Sequence, residues 1–356
     1  MTLKNLRPRQ KRTYLCSMKI LKFIPFVIIV AFIGACEDEF TLIDDYKEIP
    51  IVYGLLSLND TSAHYIRVER AFVDESKDAL EIAQIADSLY FKDINVQLVR
   101  KSTGDVFNLT MVDGNLEGLP REDGVFATSP NYLYKINAAD LQLVGNEDYK
   151  IVIRHDGSED ILTEAETKIV GAYQHITNSP SDSVNFNGLS VTFGWKSSEQ
   201  SATFYEFNLV MHYDETDPQN PAQMIPKEIT WQVDDKILRD ESNNLLVAQT
   251  YYTLSGSDFF KFFRDALDPV PGISRKFRSF DLVINSGSNE ILSYLNAGQA
   301  NTGLTGTLTI PSYTNLSNGY GLFASRHSLI KEGFVIHKAT RDSLAGGQYT
   351  FDLNFQ

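Results

Sequence analysis

Cysteine is almost missing from this chain. Cys16 and Cys36 are the two present among 356 residues, too few for the disulfide framework that staples small exported domains. Long hydrophobic runs are also lacking. The apolar core from Phe23 to Ile33 has 11 residues, whereas a bilayer-spanning helix needs roughly 20. Basic charge is in deficit, with 32 Lys and Arg against 46 Asp and Glu and a formal net of −14. Such a balance disfavours nucleic acid phosphates and anionic headgroups as partners. The spacings that mark common catalysts are absent too: there is no H-E-x-x-H, no G-x-S-x-G, no P-loop and no G-x-G-x-x-G. The sequence therefore offers no motif for an enzyme, a cofactor or a resident metal.

What the chain does have is an ordered N-terminus. Lys19 and Lys22 precede the apolar core, and Phe32-Ile33-Gly34-Ala35-Cys36 closes it, directly ahead of Glu37-Asp38-Glu39. A basic start, a short greasy core and two small residues suit an export signal over residues 1–35. Met18 would open a signal of ordinary size, and a long basic region beginning at Met1 is the alternative start. Cleavage before Cys36 would leave 321 residues, 25 basic against 46 acidic side chains, and one cysteine at the first position. That order resembles a bacterial lipoprotein signal, with Cys36 as the lipidated residue; ordinary secretory cleavage with a free thiol is the competing account. One acyl chain holds a protein only marginally at about 0.8 kcal/mol per buried methylene, whereas two or three anchor it firmly.

Residues 36–47 read as an acidic tether. Beyond it the pattern is that of short strands separated by turns, without βαβ alternation, which predicts a mainly β protein. The expected architecture is two sandwich-like domains, immunoglobulin- or fibronectin-like, over 48–172 and 173–356, with short helical insertions. Ile51 to Leu56 is a continuous apolar run suited to burial on both faces or to a sheet centre. Tyr65 to Arg70 alternates as a half-exposed strand. Ala79 to Leu89, Ser257 to Leu267 and Ser288 to Ala297 have helical spacing. Gly333–Lys338 and Tyr349–Phe355 are read as the last strands.

Several stretches resemble a group of Bacteroidetes outer-membrane lipoproteins. They are the lipobox with its acidic tail, Ile51 to Leu56 with His64 to Val68, Ala86 to Tyr90, and above all Tyr313 to Arg326 with its Gly-Leu-Phe turn. The resemblance implies a two-part β protein encoded beside a TonB-dependent receptor. It also implies that Glu37, Asp38 and Glu39 act as an export tag that places the protein on the cell exterior. Asp-Ser-Leu at 87–89 and 342–344 and Asp-Ser-Val at 182–184 are similar to the O-glycosylation signal of that phylum, which would modify Ser88, Ser183 and Ser343.

Other candidates are weaker. His212 to Asp217 is the densest mix of metal-ligand types, but a solvated acidic turn explains it more simply. Asp234-Asp235 and Asp240-Glu241 are the pairs a glycan hydrolase would need. Phe259, Phe260, Phe262 and Phe263 cannot all share one helix face, so they mark an interaction surface or a helix packed between two domains. The preferred expectation is a non-enzymatic binding or accessory lipoprotein that serves a TonB-dependent transporter, with a glycan or peptide as ligand. An adhesion or envelope-structural lipoprotein is the alternative.

Overall fold

A computed structural model describes residues 48–71, 78–178, 182–197, 201–220, 222–239, 248–300 and 313–356. Cys36, Glu37, Asp38 and Glu39 lie outside the described residues, as do Asp240 and Glu241. The chain is mainly β, with several sheets and a few short helices.

The strands are β1 (Pro50–Ser57), β2 (Ala63–Arg70), β3 (Ile94–Arg100), β4 (Val106–Asn108), β5 (Thr110–Asp113), β6 (Tyr132–Asn137), β7 (Asp148–His155) and β8 (Ile161–Lys168). They continue with β9 (Tyr173–His175), β10 (Ser190–Ser197), β11 (Phe204–Thr216), β12 (Met224–Leu238), β13 (Ala248–Ser255), β14 (Arg275–Gly287) and β15 (Tyr320–Phe334). The helices are α1 (Ala79–Ala83), α2 (Ala86–Leu89), α3 (Ala138–Leu141), α4 (Gly256–Ala266), α5 (Asn289–Ala300) and α6 (Lys338–Gly346).

One sheet of eight strands, ordered β12-β11-β14-β15-β1-β2-β6-β5, runs across both expected domains. The four-stranded sheet β4-β3-β7-β8 packs on one half of it, and the three-stranded sheet β13-β10-β9 on the other. Residues up to Ile169, joined by Leu316 and Phe323, fill the first core; residues from Val170 onward fill the second. In the first, Val52, Ile66 and Phe323 of the large sheet meet Leu98, Ile151 and Ile153 of the small one. In the second, Phe193 and Trp195 of β10 meet Phe207 of β11 and Phe280 of β14. Each such side chain, once buried, contributes about 1.5–3 kcal/mol.

β1 takes the sheet centre that its apolar run predicts, antiparallel to β2 and parallel to β15. It is buried on one face only. Val52, Gly54 and Leu56 point into the core, while Tyr53 and Leu55 point outward and remain exposed. The cause is layering: the four-stranded sheet covers a single side of this half.

The most distinctive late segment is not a terminal turn but the start of β15. Asn315 holds Phe323 as a strand neighbour would, with its carbonyl accepting from the Phe323 N–H at 3.0 Å and its amide donating to the Phe323 carbonyl at 2.7 Å. Thr163 and Leu162 of β8 bond Asn318 from the other side. The Tyr313–Arg326 stretch thus joins the two layers around the first core. Gly333–Lys338 and Tyr349–Phe355 also differ from expectation. β15 ends at Phe334, α6 begins at Lys338, and Phe355 makes only an isolated bridge to Arg275. The 79–89 stretch divides into α1 and α2, since the chain leaves helical geometry at Ile85.

Candidate functional site: an open groove on the large sheet

The outward face of β15-β1-β2-β6 carries a groove of about 830 Å³, within the ~300–1,000 Å³ typical of ligand pockets. Its floor follows from the period-two alternation of the strands. Leu322, Tyr53 and Arg67 form one cross-strand row, because Tyr53 is opposite Leu322 on one side and Arg67 on the other. Leu55 and Tyr65 lie on the same face, and Arg326 is opposite Ser57 at the end of the β1–β15 pairing.

Two walls rise from this floor. Tyr294 of α5 forms one of them. The helix is tied down at its start, where the Glu290 carboxylate accepts from the Ser288 and Thr167 hydroxyls. The loop from Gly114 to Asn131 forms the other wall through Leu119, whose carbonyl accepts from the Asn131 amide at 2.8 Å. Asn59, Asp60, Thr61 and Ser62 of the β1–β2 turn close one end.

The charges at the groove are partly balanced. Glu69, buried, accepts from Arg67 at 3.0 Å and from Arg121 at 2.8 Å. Glu117 accepts from Tyr65 at 2.9 Å and Lys135 at 2.6 Å. The Lys135 ammonium, then the Tyr65 hydroxyl, hold the Glu117 carboxyl below the usual range. Burial raises the Tyr53 phenol, and the neighbouring Tyr294 hydroxyl adds to the rise. Tyr53 is therefore a neutral hydrogen-bonding group at neutral pH.

The sequence candidates fall elsewhere. Phe259, Phe260 and Phe263 are buried in the second core, and Phe262 stacks on Trp231 at 5.2 Å. The proposed interaction surface is thus corrected to a packed helix. α4 has neighbours on more than one side, so four aromatics off a single face can all find contacts. Ser183 is exposed. Ser88 and Ser343 are half-buried, with hydroxyls donating to the Ile82 carbonyl at 2.7 Å and to the Asn187 side chain at 2.9 Å.

The acidic stretch around His212 is dispersed by strand geometry. His212 bonds Asp281 at 2.7 Å, Asp214 pairs with Arg278 at 3.1 Å, and Glu215 pairs with Arg275 at 2.8 Å. Asp217 caps its own turn by accepting from the Gln219 N–H. Among the described residues no group of three or more His, Cys, Asp and Glu could hold a metal ion. Asp234, one of the acidic pair on β12, accepts from the Lys236 N–H at 2.9 Å.

Tyr53, Leu55 and Arg326 lie within the Ile51–Leu56 and Tyr313–Arg326 stretches and Tyr294 within the 288–297 helical spacing, yet no motif marks them as one site. A usable signal existed only for Tyr65 and Arg67, whose alternation marks an exposed face. No family model matches the chain, and a search of curated proteins returns no relative.

Proposed function

We propose that this is a non-enzymatic, lipid-anchored binding protein of the outer membrane, held by Cys36, facing the cell exterior and serving a TonB-dependent transporter. In this reading the fold is two sandwich-like halves, immunoglobulin- or fibronectin-like in kind, that share one long sheet. The groove is its working surface. The observation that carries the reading is the open floor of Tyr53, Leu55 and Tyr65 between two fixed walls. Exposed large apolar side chains gathered on one face are a mark of recognition surfaces rather than of plain surface. Tyrosines, leucines and arginines supply contact area and directed donors, the chemistry of holding a ligand. The leader and the acidic triplet after Cys36 support the address, and the resemblance of the Tyr313–Arg326 stretch supports the transporter.

The test is purification of the full chain from its own outer membranes in mild detergent, after metabolic labelling with a palmitate analogue. Label on the chain, its loss with Cys36→Ser, and recovery of a TonB-dependent receptor in near-stoichiometric amount are expected. An unlabelled chain, or a labelled one that brings down no transporter, would overturn the reading.

A further inference from the structure

We infer that the groove takes an anionic ligand with a flat apolar body, a ring-bearing carboxylate in the simplest case. The inference rests on the groove being the binding surface, and adds which chemistry it selects.

The floor supplies the apolar part. Tyr53 is 46%, Leu55 42% and Tyr294 42% exposed, and these side chains come from a strand centre and a helix where burial is the ordinary outcome. Tyrosine faces favour planar partners, by offset stacking or edge contact.

The charge supplies the sign. The chain as a whole is strongly acidic, with a formal net of −14, yet the groove is not. Arg67 and Arg121 share the single carboxylate of Glu69. Arg326 is exposed and makes no ion pair among the described residues. Among the described residues Asp60 is the one acidic residue lining the groove, and it pairs with the His64 ring at 3.9 Å. Around the groove Arg67, Arg121, Arg326 and Lys135 stand against Glu69, Glu117 and Asp60, and the surplus cation is Arg326. A guanidinium offers a planar fork of donors that matches a carboxylate.

The spacing sets the size. Arg67 is level with Tyr53 and Arg326 with Ser57, four residues apart along β1. At about 3.3 Å per residue the two levels lie roughly 13 Å apart. A ligand acid held at Arg326 would lay a body of two fused rings over Leu55 toward Tyr53.

The experiment uses the full chain in nanodiscs, with empty nanodiscs as the blank, and equilibrium dialysis against 2-naphthoate and its neutral analogue 2-naphthalenemethanol. The native chain should bind naphthoate more tightly than the alcohol. Arg326→Ala should weaken naphthoate by about tenfold, the scale of a lost charge-assisted bond, and leave the alcohol unchanged. Tyr53→Ala should weaken both probes. A thermal melt of each variant confirms folding, since both side chains are exposed. No naphthoate binding above the blank, or equal affinity in the native chain and Arg326→Ala, would overturn the inference. Anchoring and transporter recovery are read separately, so a chain that brings down a receptor but ignores naphthoate defeats this inference alone. Naphthoate binding by an unlipidated chain defeats the anchoring reading alone.

Discussion

Gly321 lies so close to Val52 that a β-carbon on it would sit 1.9 Å from the Val52 carbonyl oxygen. Its φ of +119° is also one that side-chain-bearing residues avoid. Gly319 repeats the relation two residues earlier, with φ +100° and 2.0 Å to the Pro50 carbonyl. The parallel β1–β15 pairing, and so the groove floor, depends on both. Gly321→Ala should destabilise the fold by roughly 3–5 kcal/mol, combining backbone strain with a forced shift of β1. Gly298→Ala on α5, where nothing lies within 4 Å, should gain up to about 1 kcal/mol. Urea unfolding of the two variants checks both signs.

Three histidines are held neutral by burial. The ring of His175 is pushed down to about 4 by burial, with Lys331 adding to the effect. His64 and His327 are also lowered, burial being the first cause in each. The unfolded chain takes up these protons from about pH 6.5 downward, while the fold refuses them. Stability is therefore whole above pH 6.5, falls as pH drops through that value, and levels off below about 4 for His175. The Tm should decline over this window. His175→Gln should flatten the decline by an amount on the order of 2 kcal/mol in unfolding free energy.

Much of the fold was legible where contacts are local. β1 announces itself by its apolar run and β2 by its alternation, and the Ser257–Leu267 helix by spacing. β15 did not. Its two glycines weaken the strand signal, and Leu329-Ile330 is a short apolar pair between polar neighbours. Its partner β1 is more than 260 residues away, and no local pattern encodes a parallel pairing of that range. The groove was hidden for the same reason. Tyr53 and Leu55 sit inside an unbroken apolar run, and only the missing second layer turns them outward.

The α4 aromatics are core, so their loss should be read as destabilisation. Phe263 is fully buried against Phe259, Phe277 and Phe355. Phe263→Ala should cost about 3–5 kcal/mol. Phe262, partly buried on Trp231, should cost less. Naphthoate affinity of the Phe262→Ala chain should match the native value, since α4 does not line the groove. Denaturant titration with a dialysis control separates the two effects.

Glu69 is the last testable link between fold and groove. It is buried, and among the described residues it is the one carboxylate paired with both Arg67 and Arg121. Removing one member of a buried ion cluster leaves charges unpaired in low dielectric, at about 3–5 kcal/mol when the cluster is fully enclosed. Arg67 and Arg121 keep 24% and 15% of their side-chain surface, so water recovers part of that loss. Glu69→Gln keeps the shape and an acceptor but removes the charge, and should cost roughly 1–3 kcal/mol. The same change frees Arg67 for a ligand acid, so naphthoate should bind Glu69→Gln more tightly even as the fold weakens. Lys168→Ala, which breaks an exposed pair with Asp148, should change stability by no more than about 0.5 kcal/mol. Opposite shifts in stability and affinity for Glu69→Gln, with neither for Lys168→Ala, are what this arrangement requires. A parallel fall in both for Glu69→Gln would mean that Glu69 shapes the groove wall rather than masking its charge.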